Sequence, residues 1–230
     1  MQAPRLVTGE KLTFEIRWSF IPAGKAVLSI LPQKTINGSS ANHFMLSIKS
    51  YPMLDMFYKV RDRLESFTDP AVTHALVYKK KKEGKNPRDV VVRFDWRKKV
   101  AQYENFGRPE EPIAINPGAM DPLSGFYFTR LQDLKPGMEI TRPVTDGKKE
   151  VIGRIHVLGR EEVTVASGTY DTYLLEPELQ NVRGVFEKSK NATIQIWVTA
   201  DRRHIPVKIK SRVVVGAFVG ELVSAEGLTF

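Results

Sequence analysis

Apolar and polar residues alternate with a period of two through most of this chain, and that pattern restricts the fold more than any other feature. Leu12, Phe14, Ile16 and Trp18 interleave with Thr13, Glu15 and Arg17. A strand turns successive side chains to opposite faces, so such a stretch buries one face and wets the other. Ala26, Leu28 and Ile30 resume the pattern after a turn expected at Phe20–Gly24. The pattern predicts further strands near 43–50, 57–68, 72–82, 88–97 and 100–103. In the second half it predicts strands near 139–145, 150–157, 162–165, 169–175, 191–199, 205–210 and 213–223. Asn37-Gly38 and Asp146-Gly147 are hairpin dipeptides of the I′ kind, in which both central residues take a positive φ.

The crossover helices that a parallel sheet needs are missing. One helix is expected, at about 122–132: Asp121 can cap it, Pro122 suits its first position, and Leu123, Phe126, Tyr127, Arg130 and Leu131 recur at helical spacing. A Pro-rich linker at about 106–120, with Pro109, Pro112 and Pro117, separates two strand-rich halves of what reads as a single domain over 1–230. The expected class is all-β and mainly antiparallel: a curved sheet, or a half-open or closed β-barrel.

With 35 Lys and Arg against 26 Asp and Glu, the net charge is +9, a balance that favours anionic partners. The densest basic run, Lys79–Lys82, reads as a solvated hairpin end. No motif for specific nucleic-acid binding accompanies the charge. The chain has no cysteine, which excludes disulfides, thiolate metal sites and cysteine nucleophiles. His43, His74, His156 and His204 are not at zinc-motif spacing, and neither a nucleophile elbow nor a phosphate loop occurs. No catalytic residue, metal or cofactor is therefore expected. No stretch approaches the ~20 apolar residues of a membrane helix. The opening Met-Gln-Ala-Pro-Arg reads as a mature domain from which a leader peptide has been removed.

Around residue 62, alternation puts Arg61, Arg63 and Glu65 on one face and Asp62 on the other, beside Val60 and Leu64. A carboxylate on an apolar face needs a cation, or a polar cavity. Asp201-Arg202-Arg203-His204 reads as a charged turn, with Pro206 opening the next strand.

Several stretches together resemble a bacterial family called domain of unknown function 3108. They are Gly9 to Trp18 with Ile21-Pro-Ala-Gly24; Tyr58 to Ser66; Asp121 to Tyr127, continuing to Arg130; and Ile196 to Asp201 with Arg203 to Pro206. The resemblance implies an exported protein of the periplasm or cell envelope and no established activity. The Trp-x-Thr-x-Asp…Pro close is also similar to turns in LolA-type lipoprotein carriers, half-open barrels that hold acyl chains. The expected function is accordingly a non-enzymatic binding or carrier module for a lipid, an acyl chain, a lipoprotein or an anionic glycan. Trp18, Phe57, Asp62, Phe126 and Tyr127 are the candidate ligand-binding residues. Two alternatives are an envelope hydrolase using Asp62, Glu65 and Asp201, and an assembly protein that meets an envelope partner through a sheet edge.

Overall fold

The computed structural model of the chain describes residues 6–84, 86–178, 193–213 and 216–228. The first half contains β1 (Lys11–Trp18), β2 (Ile21–Ile36), β3 (Ser39–Ser50), α1 (Pro52–Tyr58), β4 (Arg61–Thr68), β5 (Ala75–Glu83), β6 (Arg88–Asp95) and β7 (Val100–Asn105). The short strands β8 (Arg108–Pro109) and β9 (Ile113–Ala114) precede α2 (Pro122–Arg130). Then come β10 (Glu139–Thr145), β11 (Glu150–Val165), β12 (Gly168–Pro177), β13 (Thr193–Thr199), β14 (Pro206–Val213) and β15 (Gly216–Glu226). The expected strand 191–199 begins two residues outside the described range.

All fifteen strands form one curved antiparallel sheet, in the order β10-β11-β12-β13-β14-β15-β1-β2-β3-β4-β5-β6-β7-β8, with β9 also on β7. Among the described residues the sheet is not closed. The expected linker occupies the seam between its edges. β9 pairs with β7, and the Ile115 amide donates to the Lys99 carbonyl at 3.0 Å. Met120 then bridges to Val144 of β10, donating to the Pro143 carbonyl (2.9 Å) and accepting from the Thr145 amide (2.8 Å). Prolines are tolerated here because an edge leaves backbone groups outside the ladder. The loop after β10 leans on the opposite edge: a Cβ added to Gly147 would lie 2.7 Å from the Val92 side chain and 3.1 Å from Tyr103.

Several local expectations change. The Phe20–Gly24 turn is only Ser19-Phe20, with Ser19 at φ 54°; Ile21–Gly24 already belong to β2, and Pro22 lies opposite Arg17 beside a bulge. The strand expected from Phe57 starts at Arg61, because Pro52–Tyr58 form α1 with Pro52 in its first turn. A seven-residue helix is too short to show a clear 3.6-residue period. Asp146-Gly147 opens a four-residue loop between Thr145 and Glu150, in which Gly147 (φ 93°) has a positive φ and Asp146 does not. Asn37 (φ 50°) and Gly38 (φ 82°) do form the expected two-residue turn between Ile36 and Ser39. The strands expected at 150–157 and 162–165 are the single β11, which carries a bulge near Val157.

α2 begins as its sequence predicts. The Asp121 carboxylate accepts from the amides of Leu123 (2.9 Å) and Ser124 (3.0 Å), Ser124 Oγ accepts from the Asp121 amide, and Pro122 sits in the first turn. The helix lies on one face of the sheet, hereafter the inner face. Leu123 and Tyr127 join Leu12, Phe14, Leu28, Ile30 and Phe44 in a single cluster. Tyr127 is fully buried, with its ring stacked 3.8 Å from that of Phe44. A second cluster, built on Tyr78, Val92, Phe94 and Tyr103, meets the first at Leu64.

Candidate functional site

Paired residues of neighbouring strands share a face, so the inner face can be followed row by row across the sheet. One row runs Ile30, Phe44, Ser66, Tyr78, Val92, Tyr103. It is buried throughout, and Ser66 Oγ donates to the Asp121 carboxylate at 2.5 Å, tying the row to the start of α2. The next row runs Leu12, Leu28, Leu46, Leu64, Lys80, Val90, and the one after it Phe14, Ala26, Ile48, Asp62, Lys82, Arg88. Leu46, Ile48, Leu64, Asp62, Lys80 and Lys82 are only partly buried. The inner face thus passes from a dry floor under α2 to an apolar wall on β3 and β4 that adjoins a cationic wall on β5.

This arrangement revises the reading of Lys79–Lys82 as a solvated hairpin end. The pleat splits the run: Lys79 and Lys81 are exposed on the outer face, while Lys80 and Lys82 stand on the inner one. Lys82 Nζ lies 3.4 Å from the Asp62 carboxylate, so Asp62 has the cation that its position required. Among the described residues no carboxylate comes within ion-pair distance of Lys80. Burial, and then the neighbouring charge of Lys82, pull the Lys80 ammonium below its ordinary value. Lys80 is thus a half-buried cation beside leucines, felt by the Asp146 and Asp62 carboxylates at longer range but within ion-pair distance of neither.

The five expected ligand-binding residues are not brought together. Asp62 lies on the inner face, and Phe126, like Leu46 and Leu64, is partly buried and packs against the cluster that contains Phe44 and Tyr127. Tyr127 belongs to the floor. Trp18 stands at the end of β1, stacked on Phe218. Phe57 projects from α1 and is 81% exposed. Lys80 and Lys82 are not among the five, although the alternation that divides them is present in the sequence.

The carboxylates of the hydrolase alternative are dispersed. Glu65 stands on the opposite face of β4 from Asp62 and accepts from Arg63 (3.0 Å) and bonds His43 (2.7 Å). Burial lowers the His43 imidazole below its ordinary value, against the Glu65 contact, which raises it. Asp201 caps the turn before β14, accepting from Thr199 Oγ1 (2.6 Å) and from the Arg203 guanidinium. A cleft of about 480 Å³ opens beside this turn, lined by Arg160, Tyr170, Asp171, Asp201 and Arg203 over a floor that includes Ile205 and Leu222. Its charges cancel in two pairs, Arg160 with Asp171 and Arg203 with Asp201, so it presents no cation without a direct ion-pair partner of the kind seen at Lys80. Among the described residues no group of His, Asp or Glu could hold a metal ion, and no helix is long and apolar enough to cross a membrane.

A family model described as "Protein of unknown function (DUF3108)" matches residues 13–223. The fold is similar to that of a β-barrel-like protein of domain of unknown function DUF1849 from Brucella abortus: TM-score 0.61, 11% identity, 99% of this chain and 100% of that one. At that identity the likeness concerns the fold alone. A Bacteroides fragilis protein with a YmcC-like fold aligns over 95% of this chain and 96% of its own, at 9% identity and TM-score 0.36. No curated protein matches the chain at a significant level.

Proposed function

We propose, since the chain belongs to the DUF3108 family, that it is a non-enzymatic binding or carrier protein of the bacterial envelope whose ligand is an anionic amphiphile of the lipid type. The observation that carries this reading is Lys80, a half-buried ammonium with no carboxylate within ion-pair distance among the described residues, set beside the apolar row of Leu28, Leu46 and Leu64. An acyl chain lying along Leu46, Ile48 and Leu64 would bury apolar surface, at roughly 0.8 kcal/mol per methylene. Its anionic group would reach Lys80 and Lys82 and give Lys80 the direct contact that the more distant Asp62 and Asp146 carboxylates do not. A pocket of apolar lining with a few convergent polar groups is the usual form of a small-molecule site. An anionic glycan is the weaker candidate, because the wall beside the lysines is leucine and isoleucine rather than polar.

The test is native mass spectrometry of the purified protein, followed by organic extraction and a titration with anionic and zwitterionic amphiphiles of equal chain length. A co-purifying anionic lipid, or saturable binding that prefers the anionic series, is the expected result. Absence of both overturns the reading.

A further inference from the structure

The end of the sheet at which β1 turns into β2 carries a cluster of apolar side chains that the fold does not use. Phe20, in the two-residue turn, is 95% exposed. Met56 and Phe57 on α1 are 83% and 81% exposed, and Met53 and Ile21 are also exposed. The topology puts these groups side by side. Gly24 pairs with Ser50, and the Tyr51 amide donates to the Ala23 carbonyl at 3.0 Å, so α1 emerges from β3 against the start of β2. Ile21 is three residues from Gly24, a rise of about 10 Å along the strand. The same end is held firmly: the Asp55 carboxylate binds the Arg61 guanidinium and Ser50 Oγ, and Tyr51 Oη donates to Glu15 at 2.7 Å.

Those contacts also settle the charge of the rim. Arg61 neutralises the Asp55 carboxylate, and Glu15, which keeps its charge while accepting from Tyr51, stands opposite Lys25; against that one carboxylate Lys25, Lys49 and Lys59 are exposed, leaving the rim with an excess of positive charge. Among the described residues none of these three lysines has a carboxylate within ion-pair distance. Lys25 and Lys49 stand directly opposite each other on β2 and β3, where like charges repel unless an anionic surface meets them.

We propose that this rim, formed by the β1–β2 turn and α1, docks the protein on an anionic lipid bilayer. Phe20, Met56 and Phe57 enter the headgroup and acyl boundary while the lysines remain at headgroup level. Apolar side chains on one face with lysines around them are the pattern of interfacial membrane binding, and each lysine near an anionic surface strengthens it roughly fivefold. The apolar groups project singly from a turn and a short helix instead of forming a flat patch. A fluid interface accepts such protrusions, whereas a protein partner would need matching pockets. The proposal is independent of the inner-face site, since none of these residues lies in the rows that line it.

Sedimentation with phosphatidylcholine vesicles, with and without roughly a third phosphatidylglycerol, tests it. The full chain is expected to partition onto the anionic vesicles and to be released by high salt. A Phe20→Ser and Phe57→Ser double variant should lose roughly tenfold or more of that partitioning. Lys25→Glu with Lys59→Glu should lose a similar amount while keeping the same melting temperature, since all four positions are exposed. Failure of the unaltered protein to bind anionic vesicles overturns the proposal. So does undiminished binding by the serine variant, or a self-association that the serine substitutions abolish while vesicle binding is absent.

Discussion

Arg130 at the end of α2 and Glu10 just before β1 form a two-pronged ion pair in the interior, with Nη1 to Oε1 at 2.7 Å and Nη2 to Oε2 at 2.9 Å. They are 0% and 1% exposed. The same guanidinium donates to the Arg203 carbonyl, and the Arg130 carbonyl is bonded by His204 Nδ1 at 2.9 Å. One arginine thus joins the helix, the first strand and the turn before β14.

Removing either partner should be costly. Glu10→Gln or Arg130→Met alone leaves a buried charge without its partner, which destabilises by roughly 3–5 kcal/mol. The double replacement Glu10→Gln with Arg130→Met should cost far less than the two single changes summed, because no lone charge remains. Urea denaturation of the four proteins measures the coupling; additive costs would mean that the pair is not the linkage described.

Lys80→Met separates binding from stability. Replacing a half-buried cation beside leucines with an isosteric apolar group should leave stability unchanged or raise it. Affinity for an anionic amphiphile should fall about 10- to 100-fold, the worth of a charged hydrogen bond. Lys81→Met, next in the chain but on the outer face, should change neither. Calorimetric titration beside a denaturant curve reads both quantities, and equal effects at the two positions would remove Lys80 from the site.

Stability should fall as the solution is acidified. The folded protein holds His43 below its ordinary value of 6.5, mainly through burial, so the unfolded chain takes up the proton first. The contribution is full above 6.5 and is lost as pH drops toward the lower folded value. Glu65 adds to the trend. Burial alone would raise it, but the hydrogen bonds from His43 and Arg63 prevail and hold it below 4.5, so its contribution also disappears in acid. Melting temperatures should decline between about pH 8 and pH 3, and His43→Gln should flatten the part of the slope near 6.5.

Gly147→Ala should loosen the seam. Its φ of +93° and the 2.7 Å approach of Val92 both oppose a side chain, for a cost of roughly 1–3 kcal/mol. Gly38→Ala provides the comparison, since Gly38 has a similar φ of +82° with nothing within 4 Å of the added carbon. The excess loss at Gly147 in a thermal melt measures the contact across the seam.

The parts of this fold that local patterning controls were legible. Leu12, Phe14 and Ile16 alternate as β1 does, Asp121-Pro122 starts α2, and Asn37-Gly38 turns the chain. α1 was hidden because Phe57 and Tyr58 continue smoothly into the charged alternation of β4. The Glu10–Arg130 pair spans 120 residues, and no local pattern encodes such a separation. The inner-face lysines lie between these cases. Parity along β5 separates Lys80 from Lys81, but only the pairing with Leu64 and Asp62 identifies which of them meets the apolar wall.

The position of β1 between β2 and β15 bears on how the molecule is assembled. Lys11 pairs with Glu226, so β1 waits for β15. Without Gly216–Glu226 the pairing order falls into two separate sheets, β10 to β14 and β1 to β8, each with a raw edge. β15, far from β1 along the chain, is the strand that stitches them into a single surface. A chain stopped short of it would retain most of its strands yet present two sticky borders, and loop closure over some two hundred residues makes that last stitch a slow one.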